Sequence, residues 1–282
     1  MYSDISFIGL GLIGGSVAKA IRSHHPGMKI RAFDLDSASL EAAKNEGVAD
    51  IVIPEFSVSA FEGTDVIFIC TPVLCAEPYV RELSEAKGSA LITDVGSVKG
   101  EIFSLVEKYG LGNRFVGGHP MAGTEKSGYA NSFGNLLENA NYVLSPAPEV
   151  SKERVEELRE LVLSLGCRVL VLDHERHDLA AAAISHLPHV LAYSLINVIR
   201  KSDDRDNAMH LMAAGGLKDM TRIASSSPDM WEQICLANKD KLLFLMDEFE
   251  KELSEVRSEL ERGDGKALNA RFLAGKNYRD TF

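Results

Sequence analysis

The chain has 282 residues, 45% hydrophobic and 25% charged, with net charge −11 at pH 7 and mean hydropathy −0.03. That length and balance allow two ordinary domains with buried cores, and they exclude a small disulfide-held module, a disordered chain and a fibrous one. The acidic surplus argues against nucleic acid or an anionic membrane as partner, since both require a basic footprint. Any anionic small ligand must therefore meet positive charge that is concentrated locally.

The N-terminus, MYSDISFIGLGLIGG, has no basic leader, and glycines interrupt its apolar run, so neither a signal nor a transit peptide is expected. Cys70, Cys75, Cys167 and Cys235 form no CxxC pair and read as reduced core residues of a cytoplasmic protein. Candidate strands follow in order: 5–9, 29–34, 65–70, 90–94, 114–118, 141–145 and 167–172. Helical stretches alternate with them, among them 13–23, 36–46, 99–109 and 151–165, the last opened by Ser151. This alternation predicts an α/β domain over residues 1–172, built on a parallel sheet with helical crossovers.

From residue 173 to 282 only helix is expected, including a long one that Ser227 caps and Pro228 starts. Leu242, Leu245, Phe249, Leu253, Val256 and Leu260 are spaced by 3, 4, 4, 3 and 4, a seam that calls for a facing surface and favours a homodimer through this domain. Leu179–Ile199 has the length of a bilayer span, but Ser185, His186, Pro188 and His189 at its centre would be costly in lipid. It is expected to be buried inside protein. Net charge is −7 before residue 173 and −4 from it onward, so neither part is a basic arm.

Gly9-Leu10-Gly11-Leu12-Ile13-Gly14 follows a strand and opens a helix. In that context glycines permit a tight turn and close approach of a pyrophosphate, which the backbone of Gly9, Gly11, Leu12, Ile13 and Gly14 would cradle at the helix N-terminus. Asp34, twenty residues after Gly14, ends the second strand, where a carboxylate accepts both ribose hydroxyls of NAD and repels the 2′-phosphate of NADP. The fold expected is thus a Rossmann-type doubly wound N-terminal domain followed by an all-α dimerisation domain. Thr71 and Pro72 after one strand, and Gly96 and Ser97 after another, fall where such a sheet places its ligand.

Gly117-Gly118-His119-Pro120-Met121-Ala122-Gly123-Thr124-Glu125 is the most unusual stretch. A histidine in a glycine-rich loop after a strand would be held by backbone geometry, as suits a positioned acid or base. His186 and His189 lie three apart on one helix face; a metal pair is the competing idea, but no third ligand lies nearby, and no metal is expected. His174 and His177 lack HExxH spacing and read as polar residues at a helix start. Trp231 suits either a dimer core or a site wall.

DVGSVK (94–99), GGHPMAGTEKSG (117–128), SHLPH (185–189) and GGLKDMTRIASSSPDMW (215–231), behind GLGLIGGS, resemble the prephenate/arogenate dehydrogenase family over nearly the whole chain. The resemblance implies oxidative decarboxylation of prephenate by NAD to 4-hydroxyphenylpyruvate, with arogenate as the alternative substrate. It places the catalytic histidine at His119, taking the C4 hydroxyl proton, and its serine partner at Ser97, touching both hydroxyl and histidine. It places the carboxylate-binding arginine at Arg222, with the His186–His189 segment lining the site. Trp231, Thr124, Glu125, Lys218 and Asp219 flank these motifs as further candidates, and Glu125 is a candidate for choosing between the keto and amino substrates.

The last family-like segment is expected to run into one terminal helix, leaving no room for a fused mutase or regulatory domain, so tyrosine inhibition would act at the active site. Competing readings are a 3-hydroxyacid dehydrogenase or imine reductase, which would need a lysine or an imine proton donor on the central helix, and an NAD-responsive binding module. The helix at 179–199 contains no lysine, and a binding module has no use for His119, Ser97 and Arg222 together.

Overall fold

The computed structural model describes residues 2–86, 88–124, 126–203 and 206–282. Its first compact unit, Met1–Asn238, is organised by one eight-stranded sheet. The strands are β1 (Asp4–Ile8), β2 (Lys29–Phe33), β3 (Ile51–Ile53), β4 (Val66–Ile69), β5 (Leu91–Asp94), β6 (Phe115–Pro120), β7 (Asn141–Pro146) and β8 (Arg168–Val171), in spatial order 3-2-1-4-5-6-7-8. The helices of this part are α1 (Leu12–His24), α2 (Ser37–Asn45), α3 (Glu77–Glu85), α4 (Gly100–Lys108) and α5 (Lys152–Ser164). The Rossmann-type expectation holds.

Two apolar clusters cover the sheet. One gathers Ile5, Phe7, Val17, Ile21 and Phe68, and the other Ile8, Phe33, Ile67, Ile69 and Phe115. Consecutive residues of β1 thus serve opposite faces, and Phe7 stacks on Phe68 at 5.1 Å. Burial on both faces is why the strands read as continuous apolar runs. The chain leaves β1 toward β2 and returns on the other side as β4, making the switch point beside which such sheets bind ligands.

The sheet is not wholly parallel: β7 runs antiparallel to β6, with His119 opposite Val143. The connection between them, 121–140, holds only two short 3₁₀ turns, Tyr129–Asn131 and Gly134–Leu137, and without a helical crossover the chain returns in the opposite direction. β3, at three residues, carried too little pattern to be read from sequence, and α3 adds an amphipathic helix between β4 and β5. Cys75 is exposed rather than in the core, and Cys70 and Cys235 are half-buried.

Strand structure ends at Val171 and helix begins at His174, so the change of composition near residue 172 lies inside the first unit. α6 (His174–Ala181), a π turn (Ala182–His186) and α7 (Leu187–Ser202) run continuously. Pro188 lacks an N–H and crowds the preceding turn, which accounts for the π geometry just before it. By length and composition this helix could cross a membrane, and 22% of its most apolar stretch is buried within the single chain, so the chain by itself does not supply the burial inside protein expected for 179–199. Short α8 (Ala208–Leu211), α9 (Gly215–Thr221) and α10 (Pro228–Ala237) complete the unit, α10 capped by Ser227 as expected.

The long helix expected from Ser227 onward is broken at Asn238, whose side-chain amide is spent on the Asp178 carbonyl at 2.8 Å and on His186. The second unit, Lys239–Phe282, is a helical hairpin of α11 (Lys239–Glu261) and α12 (Gly265–Arg279), not a single helix. Gly263, at φ +66°, turns the chain, and Asp264 caps α12 by accepting from the Ala267 N–H. Arg271 on α12 ties back to Glu252 and Glu259, each at 2.8 Å.

Candidate active site

At the switch point Gly9 adopts φ +102° and donates its N–H to the Phe33 carbonyl at 2.8 Å. A Cβ at Gly9 would meet the Cys70 backbone at 2.9 Å, and one at Gly14 the Gly9 carbonyl at 2.4 Å, so both are required by packing. A Cβ at Gly11 would meet nothing within 4 Å. That open space lies before the first turn of α1, where the N–H groups of Leu12 and Ile13 have no intrahelical acceptor. The Thr71 hydroxyl, beside Pro72, is buried without a partner among the described residues in a small cleft it shares with Ile69, Val73, Asp94, Gly96 and Val98. Open room at Gly11, free helix amides and an orphaned hydroxyl fit a dinucleotide.

Asp34 ends β2 as expected, but part of its carboxylate is already used: it accepts from the Leu10 N–H and, at 2.8 Å, from the Asp36 N–H. It therefore also shapes the glycine loop. Arg31 is paired with Asp4 at 2.7 Å and donates to the Ala60 carbonyl, so it is not directed at a ribose phosphate.

Between β5 and β6 a buried pair fixes the floor. Lys99, fully buried, donates to Asp94 and to the Gly118 carbonyl at 2.7 Å, while Asp94 also accepts from the Gly96 and Gly118 N–H groups at 2.9 and 3.1 Å. Burial pushes the Lys99 ammonium below its usual pKa, and Asp94 counters this. A Cβ at Gly118 would lie 2.4 Å from the Asp94 carbonyl, so glycine lets the two strands close.

His119 sits inside β6 rather than in a loop, and it is held by side-chain bonding. Its Nδ1 lies 2.8 Å from Nε2 of His177, and Nδ1 of His177 lies 2.8 Å from Asp178. His177 lies near the start of α6, as expected, but it is 2% exposed and joined to the expected catalytic histidine across 58 residues. Its companion His174 stacks on Phe103 at 4.4 Å. Burial, aided by His177, Lys99 and His186, holds His119 well below the ordinary histidine pKa, so it is neutral at neutral pH. Asp178 also accepts the N–H groups of Lys99 and Gly100, both at 2.7 Å, at the start of α4.

Ser97 is half-buried in the loop before α4, and its hydroxyl bonds no described residue. No Ser97–His119 hydrogen bond is formed here: Nδ1 of His119 is engaged by His177, and its Nε2 meets no described hydrogen-bond partner. Val98 packs with Trp231 and Ile234, which brings this loop to the helical wall.

On that wall His189 stacks on Trp231 with ring centroids 3.5 Å apart and donates Nδ1–H to the Ser185 carbonyl at 2.8 Å. Trp231 is buried, packed against Val98 and Ile234 and carrying His189 on its ring face. Arg222, exposed at the start of a 3₁₀ turn, forms no ion pair with described residues and lies near enough to His189 to help burial lower its pKa. His186 is different: it is 1% exposed, its Nδ1 accepts from Asn238 at 3.2 Å, and burial takes its pKa to about 4. Its Nδ1 is spent, so it supports the wall from behind instead of offering that nitrogen to a ligand. Thr124 is exposed beyond β6, its hydroxyl accepting from the Lys126 N–H, and Lys218 and Asp219 are exposed on α9. Glu125 lies outside the described residues.

The assembly offers a nucleotide cradle, a neutral buried imidazole and an adjoining cationic, aromatic wall. Family models for the prephenate dehydrogenase nucleotide-binding domain and dimerization domain match residues 17–171 and 173–280. The prephenate dehydrogenase of Bacillus subtilis (strain 168) is 39% identical, the match covering 99% of this chain and 76% of that protein. The solved prephenate dehydrogenase from A. aeolicus, in complex with hydroxyphenyl propionate and NAD+, superposes with TM-score 0.91 at 32% identity over 99% of this chain and 98% of that one. Synechocystis arogenate dehydrogenase gives TM-score 0.87 at 28% identity, covering 99% of each chain. Two matching domain models covering almost the whole chain, a full-length relative and this shared fold place the chain in the prephenate dehydrogenase family.

Proposed function

We propose that this chain catalyses the oxidative decarboxylation of prephenate by NAD, giving 4-hydroxyphenylpyruvate, carbon dioxide and NADH. The observation that carries this reading is a neutral, buried His119 beside a wall bearing Arg222, which pairs with no described residue. When bound, NAD supplies the acceptor for hydride leaving C4 of the ring. Gly9, Gly11, Leu12, Ile13 and Gly14 hold its pyrophosphate, Asp34 its ribose, and Thr71, Pro72 and Gly96 line the path toward the reacting carbon.

His119 takes a hydrogen bond from the C4 hydroxyl and draws its proton as that carbon becomes electron-poor. The overall reaction releases no net proton, so the histidine returns it to the oxygen as the ring becomes aromatic. Ser97 orients the same hydroxyl. Arg222 holds a substrate carboxylate through paired hydrogen bonds, with His189 and Trp231 beside it and Thr124 at the mouth. Aromatisation drives the chemistry, so alignment and charge placement are what the protein contributes. Tyrosine, which has the product's ring and a carboxylate, would compete for this wall.

The exposed apolar residues Ile184, Val198, Leu211, Met212 and Met220 give the first unit a face suited to a second copy of this chain, and we place the protein in the cytoplasm as a homodimer. NADH formation with prephenate and with arogenate, each with NAD and NADP, tests the reading. Turnover of prephenate with NAD supports it, preference for arogenate redirects it to the amino substrate, and silence with both refutes it.

A further inference from the structure

Behind His119 lies a chain of contacts that the reaction scheme above does not use. Asp178, whose carboxyl is raised by burial but brought net below its usual pKa by hydrogen bonds from His177, Lys99 and Gly100, is ionised and can only accept. Its 2.8 Å contact with His177 therefore places a proton on Nδ1 of His177. A ring that carries only that N–H has its Nε2 as an acceptor. The atom 2.8 Å from it, Nδ1 of His119, must then be the donor.

We propose that His177 and Asp178 are positioning residues that lock His119 in the Nδ1–H tautomer, leaving its Nε2 bare to receive the substrate hydroxyl proton. This rests on the functional reading above. The opposite tautomer would present an N–H to that hydroxyl and could not act as base. When Nε2 takes the proton, the histidine pair carries one positive charge, and the Asp178 carboxylate at its far end stabilises it. No bond to carbon changes, and the same proton returns along the same contact when the phenol forms.

Asp178 does a second job. Through the Lys99 and Gly100 N–H groups it fixes the start of α4, and with it the loop carrying Ser97. Asn238 in turn holds the Asp178 carbonyl, so the carboxylate is anchored from the helical side as well. One side chain thereby sets both the tautomer of His119 and the placement of the serine loop. The charged and titratable groups facing the His119–His177 pair are Lys99 with its partner Asp94, Asp178, and His186.

The test combines ring-nitrogen NMR with kinetics on the full-length enzyme. In the parent protein His119 should show a protonated Nδ1 and a bare Nε2. His177→Gln, whose side-chain oxygen still accepts from His119, should keep that tautomer and lose less than about tenfold in kcat. His177→Leu should release it and lower kcat by about 100-fold or more with KM for prephenate nearly unchanged. A parent His119 protonated on Nε2 overturns the proposal, as does a folded His177→Leu enzyme with near-parent kcat or with only KM altered. If the parent makes no NADH, the functional reading fails on its own, and the ring-nitrogen spectrum still decides the tautomer.

Discussion

His119 shows how far a local motif carries and where it stops. The glycines before it and the proline after it mark a special backbone position, and that much is legible in HPMAG. What holds the ring is His177, 58 residues away, and a pairing of that kind has no signature in HERH spacing. The buried setting changes an expectation: the acid limb of kcat/KM should not follow an ordinary histidine. Because burial, aided by His177, Lys99 and His186, lowers its pKa, His119 stays neutral as pH falls through the usual range, and activity should decline only well below pH 6.5. A kcat/KM profile whose limb centres at or above pH 6.5 would contradict this.

Arg222 calls for a similar adjustment. Its guanidinium is exposed within the chain, so Arg222→Gln should raise KM for prephenate about tenfold, near the lower end of what a charged hydrogen bond supplies. Unchanged KM would remove it from the binding wall. His189, held below its usual pKa in the free site, should gain a proton when a carboxylate arrives. Prephenate affinity should accordingly weaken as pH rises through the His189 range, measurable by calorimetry in two buffers of different ionisation enthalpy.

Elements were legible wherever apolar period and turn chemistry agreed. Seven of the eight strands and the helices after β1, β2, β5 and β7 follow from alternation, whereas three-residue β3 offers too short a pattern. The reversal of β7 depends on how the 121–140 connection folds back, which strand composition does not encode. The break at Asn238 was hidden because its cause is tertiary: an amide drawn to Asp178 and His186. Burial of His186 also makes the π turn sensitive to acid. His186 has pKa about 4 folded against 6.5 when unconstrained, so its contribution to stability is present above pH 6.5 and is lost as pH falls toward 4. The loss should approach about 3 kcal/mol, visible in thermal melts and reduced in His186→Gln, which keeps an acceptor for Asn238. Equal acid sensitivity in that variant would assign the effect elsewhere.

At the scale of the whole molecule, the charge of −11 argues against nucleic acid as a partner and says nothing against an anionic substrate, which Arg222 would meet locally under the proposed function. Residues 179–199, expected to be buried inside protein, belong to the helix His174–Ser202, whose most apolar stretch is only 22% buried within one chain. In the second unit Leu253 and Leu260 of the α11 seam are exposed as well. These surfaces are what a dimer would cover, and sedimentation should give twice the 30.7 kDa chain mass at working concentration; a monomer would refute the dimer. The central claim is that His119 is the base for NAD-dependent oxidation of prephenate. It is tested most directly by following NADH with the parent and His119→Asn enzymes while measuring prephenate binding to both. The account predicts rapid NADH formation in the parent and a loss of about 100-fold or more in the variant with binding retained; parent-like turnover by His119→Asn would contradict it.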